Sequence, residues 1–88
     1  MDIEQIRHEL DCIDNELLRL FEQRMALAEK VGQYKKEYSL PVIDKEREAQ
    51  VLKRMSASVN PKLAEYIKPL FISLFEVSKA YQNKIIST

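Results

Sequence analysis

Apolar side chains recur along the first forty residues at spacings that alternate between three and four. Ile3, Ile6, Leu10, Ile13, Leu17, Leu20, Leu27, Val31, Tyr34 and Tyr38 keep this register, and Arg24 takes the one remaining position. A three-four alternation is the seam of a long helix packed on other helices. The pattern predicts a first helix from about Asp2 to Glu37, about 54 Å long at 1.5 Å per residue. Gly32 is the only glycine of the chain and falls inside it. A glycine within a helix costs roughly 1 kcal/mol against alanine, so it marks close packing or room for a ligand. Ser39-Leu40-Pro41 ends the helix, because the residue before proline disfavours helical dihedrals.

Two further helices follow. Asp44 is placed to cap the second, which ends near Ser56. Ser56-Ala57-Ser58-Val59 reads as a loop. Asn60-Pro61, a capping residue followed by proline at the first helical position, starts a third helix that continues to about Ile85. That helix carries two stripes. One is Leu63, Ile67, Leu70, Leu74, Val77 and Tyr81. The other, Phe71, Phe75, Ser78 and Gln82, turns from aromatic to polar halfway along. Pro69 should kink this helix or delay its regular start. The fold class is therefore all-α: one domain over residues 1–88, with one long, one short and one medium helix. Two shorter helices cannot cover so long a rod. An intertwined or side-by-side homodimer is the arrangement the pattern expects.

Composition narrows the function. Fourteen basic and fourteen acidic side chains balance, so there is no general field for nucleic acid or an anionic membrane, and any anion site must be local. Cys12 is the only cysteine, which precludes an internal disulfide and suits the reducing cytoplasm. No apolar run approaches membrane-spanning length, and the N-terminal residues do not read as a signal peptide. His8 and Cys12 share a helical face, but two ligands make a weak metal site, and no metal or cofactor is expected.

The polar exceptions carry the chemistry. A cation in a helix seam needs an anion to offset its lost hydration. For Arg24 the anion is a carboxylate of the protein or one carried by a ligand, and the planar guanidinium fork suits either. Lys35 lies on the same face about 16 Å further on, a gap that a small dianion held by two long side chains would fill. Alone, Lys35 reads as a solvated lysine beside Lys36. Arg7 lies about 25 Å before Arg24, too far for both to hold one small molecule within one chain. Arg7 therefore either pairs with Asp11 one turn on or serves a neighbouring subunit. Asp44, Arg47 and Glu48 share a face at the start of the second helix, where acidic residues also occur simply to complement the helix dipole. Ser78 and Gln82 either face a cavity or lie exposed at a helix end.

Taken in order, these positions resemble a known family. Ile6-Arg7-His8-Glu9-Leu10-Asp11-Cys12-Ile13-Asp14, Glu22-Gln23-Arg24-Met25, Val31-Gly32-Gln33-Tyr34-Lys35, Pro41-Val42-Ile43-Asp44-Lys45-Glu46-Arg47-Glu48, and then Ser78 and Gln82 are similar to the all-helical chorismate mutases. The resemblance is to their small bacterial, dimeric type and covers essentially the whole chain. It implies a dimer with two sites built from both chains, and rearrangement of chorismate to prephenate in phenylalanine and tyrosine synthesis. Each fragment is ordinary alone; the ordered set is specific. By the same resemblance Arg24 and Arg7 of the other chain would clamp the two carboxylates. Lys35 and Gln82 would bond the ether oxygen. Glu48, with Asp44 nearby, would hold the ring hydroxyl, and Arg47 and Ser78 would complete the polar shell. Pro69 departs from the family pattern and leaves the angle of the third helix open.

This reaction suits the residues on physical grounds as well. A pericyclic rearrangement needs no nucleophile, metal or titrating base, and a small dianion answers the question Arg24 raises. Two alternatives stand beside it. One is an isochorismate–pyruvate lyase on the same scaffold, against which the Asp44–Arg47–Glu48 set argues because it addresses the ring hydroxyl. The other is a non-catalytic helical module for dimerisation or metabolite sensing. Association or fusion with another enzyme of the shikimate pathway fits either.

Overall fold

The computed structural model describes residues 2–88, which form three α-helices and one 3-10 segment, with no strand among them. Helix α1 spans Ile3–Glu37, as the seam predicts, and sets the long dimension of a chain measuring 54 × 27 × 14 Å. Asp2 caps it by accepting a hydrogen bond from the Gln5 backbone N–H at 2.8 Å. Its C-terminus closes as a Schellman turn. Leu40 N–H donates to the Lys35 carbonyl at 2.8 Å and Ser39 N–H to Lys36 at 3.4 Å, satisfying carbonyls that the helix leaves unpaired. The left-handed position of this turn usually belongs to glycine; here Ser39 holds it, at φ 53°.

Helix α2 spans Lys45–Ser58. Asp44 caps it, its Oδ1 accepting from the Arg47 N–H at 2.9 Å. The helix runs two residues past the end read from the sequence. Ser56, Ala57 and Ser58 belong to it, and the Ser58 hydroxyl donates back to the Arg54 carbonyl at 2.7 Å. Nothing in that stretch breaks a helix. The chain turns extended at Val59, ψ 159°, and stays so at Asn60, ψ 127°, which precedes Pro61.

The third helix also differs from its reading. Pro61–Tyr66 is a 3-10 helix capped by Asn60, and the regular helix α3 is confined to Ile67–Ser87. Pro69 supplies the reason. Inside an unbroken α-helix its ring would meet the carbonyl of Glu65, and it has no N–H to give. At the third residue of α3 a missing N–H costs nothing, since the first turn has no partner for it. Of the two outcomes open to Pro69, the delayed start is the one realised.

Helix α3 is the centre of the chain. Helices α1 and α2 both pack on it and not on each other. Its aromatic-to-polar stripe faces inward: Phe75 and Gln82 are buried, and Phe71 and Ser78 half-buried. The face of α1 that meets α3 is not the predicted seam but a neighbouring stripe of small residues, Ala28 and Gly32, both buried. The seam itself is largely in contact with water; Leu17 is 58% exposed and Leu27 60%. Small side chains let two helix backbones approach, and at Gly32 they do so closely. A Cβ built there would lie 3.3 Å from the Gln82 Cα.

Candidate active site

Because α1 and α2 each rest on α3 with their backbones held apart, a trough remains between them. It holds a half-open cavity of about 530 Å³. Arg24, Leu27, Ala28, Val31 and Lys35 line it from α1, and Arg47, Glu48 and Val51 from α2. Val42 and Asp44 come from the connection between those helices, and Phe75, Ser78, Lys79 and Gln82 from α3. Seven of the eight site residues read from the sequence thus share one wall-to-wall space. Arg7 does not. It lies exposed and pairs at 3.3 Å with Glu4 on its own helix, rather than with Asp11.

The cavity is polarised. Four cations line it, Arg24, Lys35, Arg47 and Lys79, against two carboxylates, Asp44 and Glu48, so it carries an excess of two positive charges. Arg24 is half-buried and makes no ion pair among the described residues, leaving its five N–H donors for an incoming anion. Lys35 is held in place. Its Nζ donates to the Val42 carbonyl at 2.8 Å, which ties the end of α1 to the connection that carries Asp44. An ammonium has three N–H groups, so two remain. Asp44 is both helix cap and cavity wall; capping uses Oδ1 and leaves Oδ2.

At the floor, Gln82 is only 6% exposed. Its Nε2 donates to the Ser78 hydroxyl at 3.1 Å, one turn back on α3, while its Oε1 is buried with no hydrogen-bond partner. A buried unpaired polar atom costs about 1–3 kcal/mol, a cost that a partner supplied from the cavity would relieve.

Lys79 escaped the sequence reading. It forms ion pairs with Glu48 at 3.2 Å and with Glu76 at 3.1 Å. These two carboxylates, Glu76 first, hold its ammonium above the ordinary lysine range. In the sequence, Glu76 and Lys79 are an unremarkable surface pair three residues apart. Only the packing of α2 on α3 brings Glu48 to the same nitrogen.

Residues 6–83 match the family model described as chorismate mutase type II. The chain belongs to the chorismate mutase type II family. It is 31% identical to a Haemophilus influenzae T-protein over 93% of its own length and 22% of that protein. It is 35% identical to an Aquifex aeolicus bifunctional chorismate mutase/prephenate dehydratase, over 61% of the chain and 15% of the relative. A Methanocaldococcus jannaschii chorismate mutase shares 37% identity over 58% of the chain and 52% of the relative. The chain therefore spans between about a seventh and a half of the length of these curated relatives. No solved structure matches it. Within the chorismate mutase type II span fall all eight of the residues named from the sequence, and Lys79 as well.

Proposed function

We propose that this chain catalyses the rearrangement of chorismate to prephenate, as a homodimer in the reducing cytoplasm, within phenylalanine and tyrosine synthesis. The observation that carries the reading is the cavity in which cations outnumber carboxylates, lined by Arg24, Lys35, Asp44, Arg47, Glu48, Ser78 and Gln82 in a single chain. A compact dicarboxylate with a ring hydroxyl and an ether oxygen uses every one of these groups.

Arg24 clamps one carboxylate with its planar fork. Arg7 of a second copy clamps the other. Supporting a second copy is the seam of α1, whose Ile13, Leu17, Leu20 and Leu27 are each roughly half or more exposed in one chain. Burying that seam against its own equivalent, antiparallel, brings each Arg7 toward the partner's trough. The Cys12 thiol is exposed, as suits a reducing compartment.

As the ether C–O bond breaks and the new C–C bond forms, negative charge grows on the ether oxygen. Lys35 has two N–H groups to offer it. Gln82 gains by turning its amide over. The Ser78 hydroxyl can donate as well as accept, so the pair survives, Oε1 acquires a donor, and both Nε2 hydrogens are freed for the ether oxygen. Donors already fixed where charge develops are worth about 2.7–4 kcal/mol each in comparable oxyanion sites. Glu48, with Asp44 beside it, accepts from the ring hydroxyl, and Arg47 completes the polar wall. Leu27, Val31, Val51 and Phe75 press the substrate into its compact conformer, which supplies the entropic share of the acceleration.

The test is direct. Purified protein should consume chorismate, followed by loss of its ultraviolet absorbance, and prephenate should appear in step. Turnover of isochorismate with release of pyruvate, and none of chorismate, would overturn the reading in favour of a lyase. Turnover of neither would leave a non-catalytic module.

A further inference from the structure

Among the ion pairs of the described residues, that of Glu48 with Lys79 is the one that joins two helices. Its two side chains are 27% and 20% exposed. Glu76, the second partner of Lys79, is an outer residue with a side chain 68% exposed. The ammonium is thus held by a sheltered carboxylate in the cavity wall and by an exposed one outside the cavity lining.

This arrangement addresses a conflict within the proposed site. A carboxylate is the right acceptor for a ring hydroxyl and the wrong neighbour for a dianion. Like charges facing each other in a sheltered space cost more than they would in open water. The Glu48 charge is met at one oxygen only: Oε2 lies 3.2 Å from the Lys79 ammonium. Oε1 has no partner among the described residues and remains able to accept.

We propose that Lys79 is a positioning residue of this site, which pins Glu48 through Oε2, cancels its charge toward a dicarboxylate substrate, and leaves Oε1 for the ring hydroxyl. The proposal rests on the rearrangement reading above. Lys79 does not touch the reacting bonds; it acts through Glu48. Glu76 keeps it there. Held only by Glu48, the ammonium would be free to swing toward a substrate carboxylate and leave Glu48 bare.

The experiment is a double-mutant cycle read in KM and kcat. Lys79→Met, Lys79→Gln and Lys79→Arg are each made in the wild-type chain and in Glu48→Gln, with circular dichroism to establish that the helices are intact. Lys79→Met and Lys79→Gln should each raise KM for chorismate about ten-fold, with a smaller effect on kcat. Lys79→Arg should restore KM to within about three-fold of wild type, because a guanidinium can also hold Oε2. In Glu48→Gln there is no charge to cancel, and Lys79→Met should change KM less than about two-fold. A wild-type KM in both Lys79→Met and Lys79→Gln, even with a lowered melting temperature, would overturn the proposal and leave the pair purely structural. An equal KM rise in both backgrounds would overturn it too, by showing that Lys79 meets the substrate directly. If wild-type protein turns over chorismate and the variants give either of these overturning results, the rearrangement stands and the Lys79 role fails. If wild type does not turn it over, the underlying reading fails first.

Discussion

Gly32→Ala separates stability from activity in this chain. Alanine in place of a mid-helix glycine stabilises α1 by about 1 kcal/mol. Against that gain, the new Cβ would sit 3.3 Å from the Gln82 Cα and 3.5 Å from its Cβ and Cγ. Carbon pairs settle at about 3.5–4.0 Å, so the helices must part by a few tenths of an ångström. The nearest atom belongs to the backbone of α3 and cannot swing aside. Overpacking of this kind costs about 1–3 kcal/mol, so the net change in stability is a loss of about 0–2 kcal/mol. Gln82 moves with its backbone, and it is the floor of the cavity. Misplacing a catalytic group by 1 Å can cost about a hundred-fold, so with Gln82 in its proposed role a shift of a few tenths should lower kcat about three- to ten-fold. Thermal melts by circular dichroism and the chorismate assay read the two effects separately. A raised melting temperature with kcat within about two-fold of wild type would refute the argument, since α1 and α3 would then not be in contact at Gly32.

The other predictions follow from the same cavity. Arg24→Ala should lower kcat/KM at least about a hundred-fold, as loss of a charged anchor does, with the helical dichroism intact; near-normal turnover would remove Arg24 from the site. Gln82→Glu should confine activity to low pH, because a carboxyl donates to the ether oxygen only while protonated, so the rate should fall as pH rises through its pKa. Activity of that variant unchanged well above neutral pH would rule out the contact. Arg7→Ala and Arg24→Ala should each be nearly inactive alone, yet refolding them together should return roughly a quarter of wild-type activity, since about half the dimers are mixed and each mixed dimer has one intact site. No recovery, despite mixed dimers seen by native mass spectrometry, would mean that Arg7 does not act across chains.

Much of this could be read from the chain because helices announce themselves locally. The seam from Ile3 to Tyr38, the caps at Asp44 and Asn60, and the stop at Pro41 each depend on neighbours within a turn or two. Pro69 was legible as an obstacle, and the 3-10 segment before it is the local answer. What a one-dimensional pattern does not show is which face meets which. The seam marks an apolar face without naming what covers it; within the chain, α3 packs on the smaller stripe of Ala28 and Gly32, where two backbones can come close. Ser78 and Gln82 were ambiguous for the same reason until α3 was seen to be central. Lys79 was invisible, since its partner Glu48 lies thirty-one positions away and the pairing exists only once α2 lies on α3. Arg7 is the converse: its spacing on α1 rules out a shared ligand within one chain, and a single chain has nothing further to say about it.

The wet seam of α1 has a consequence for how much catalyst a given amount of protein provides. In the homodimer proposed above, side chains such as Leu17 and Leu27 would gain their burial from a second molecule, so folding and pairing would draw on the same free energy and obey mass action. Well below the dissociation constant, the paired fraction falls in proportion to concentration and the number of pairs as its square. Halving the abundance then leaves about a quarter of the working sites. Dilution would thus act on flux as a threshold, with no effector molecule required.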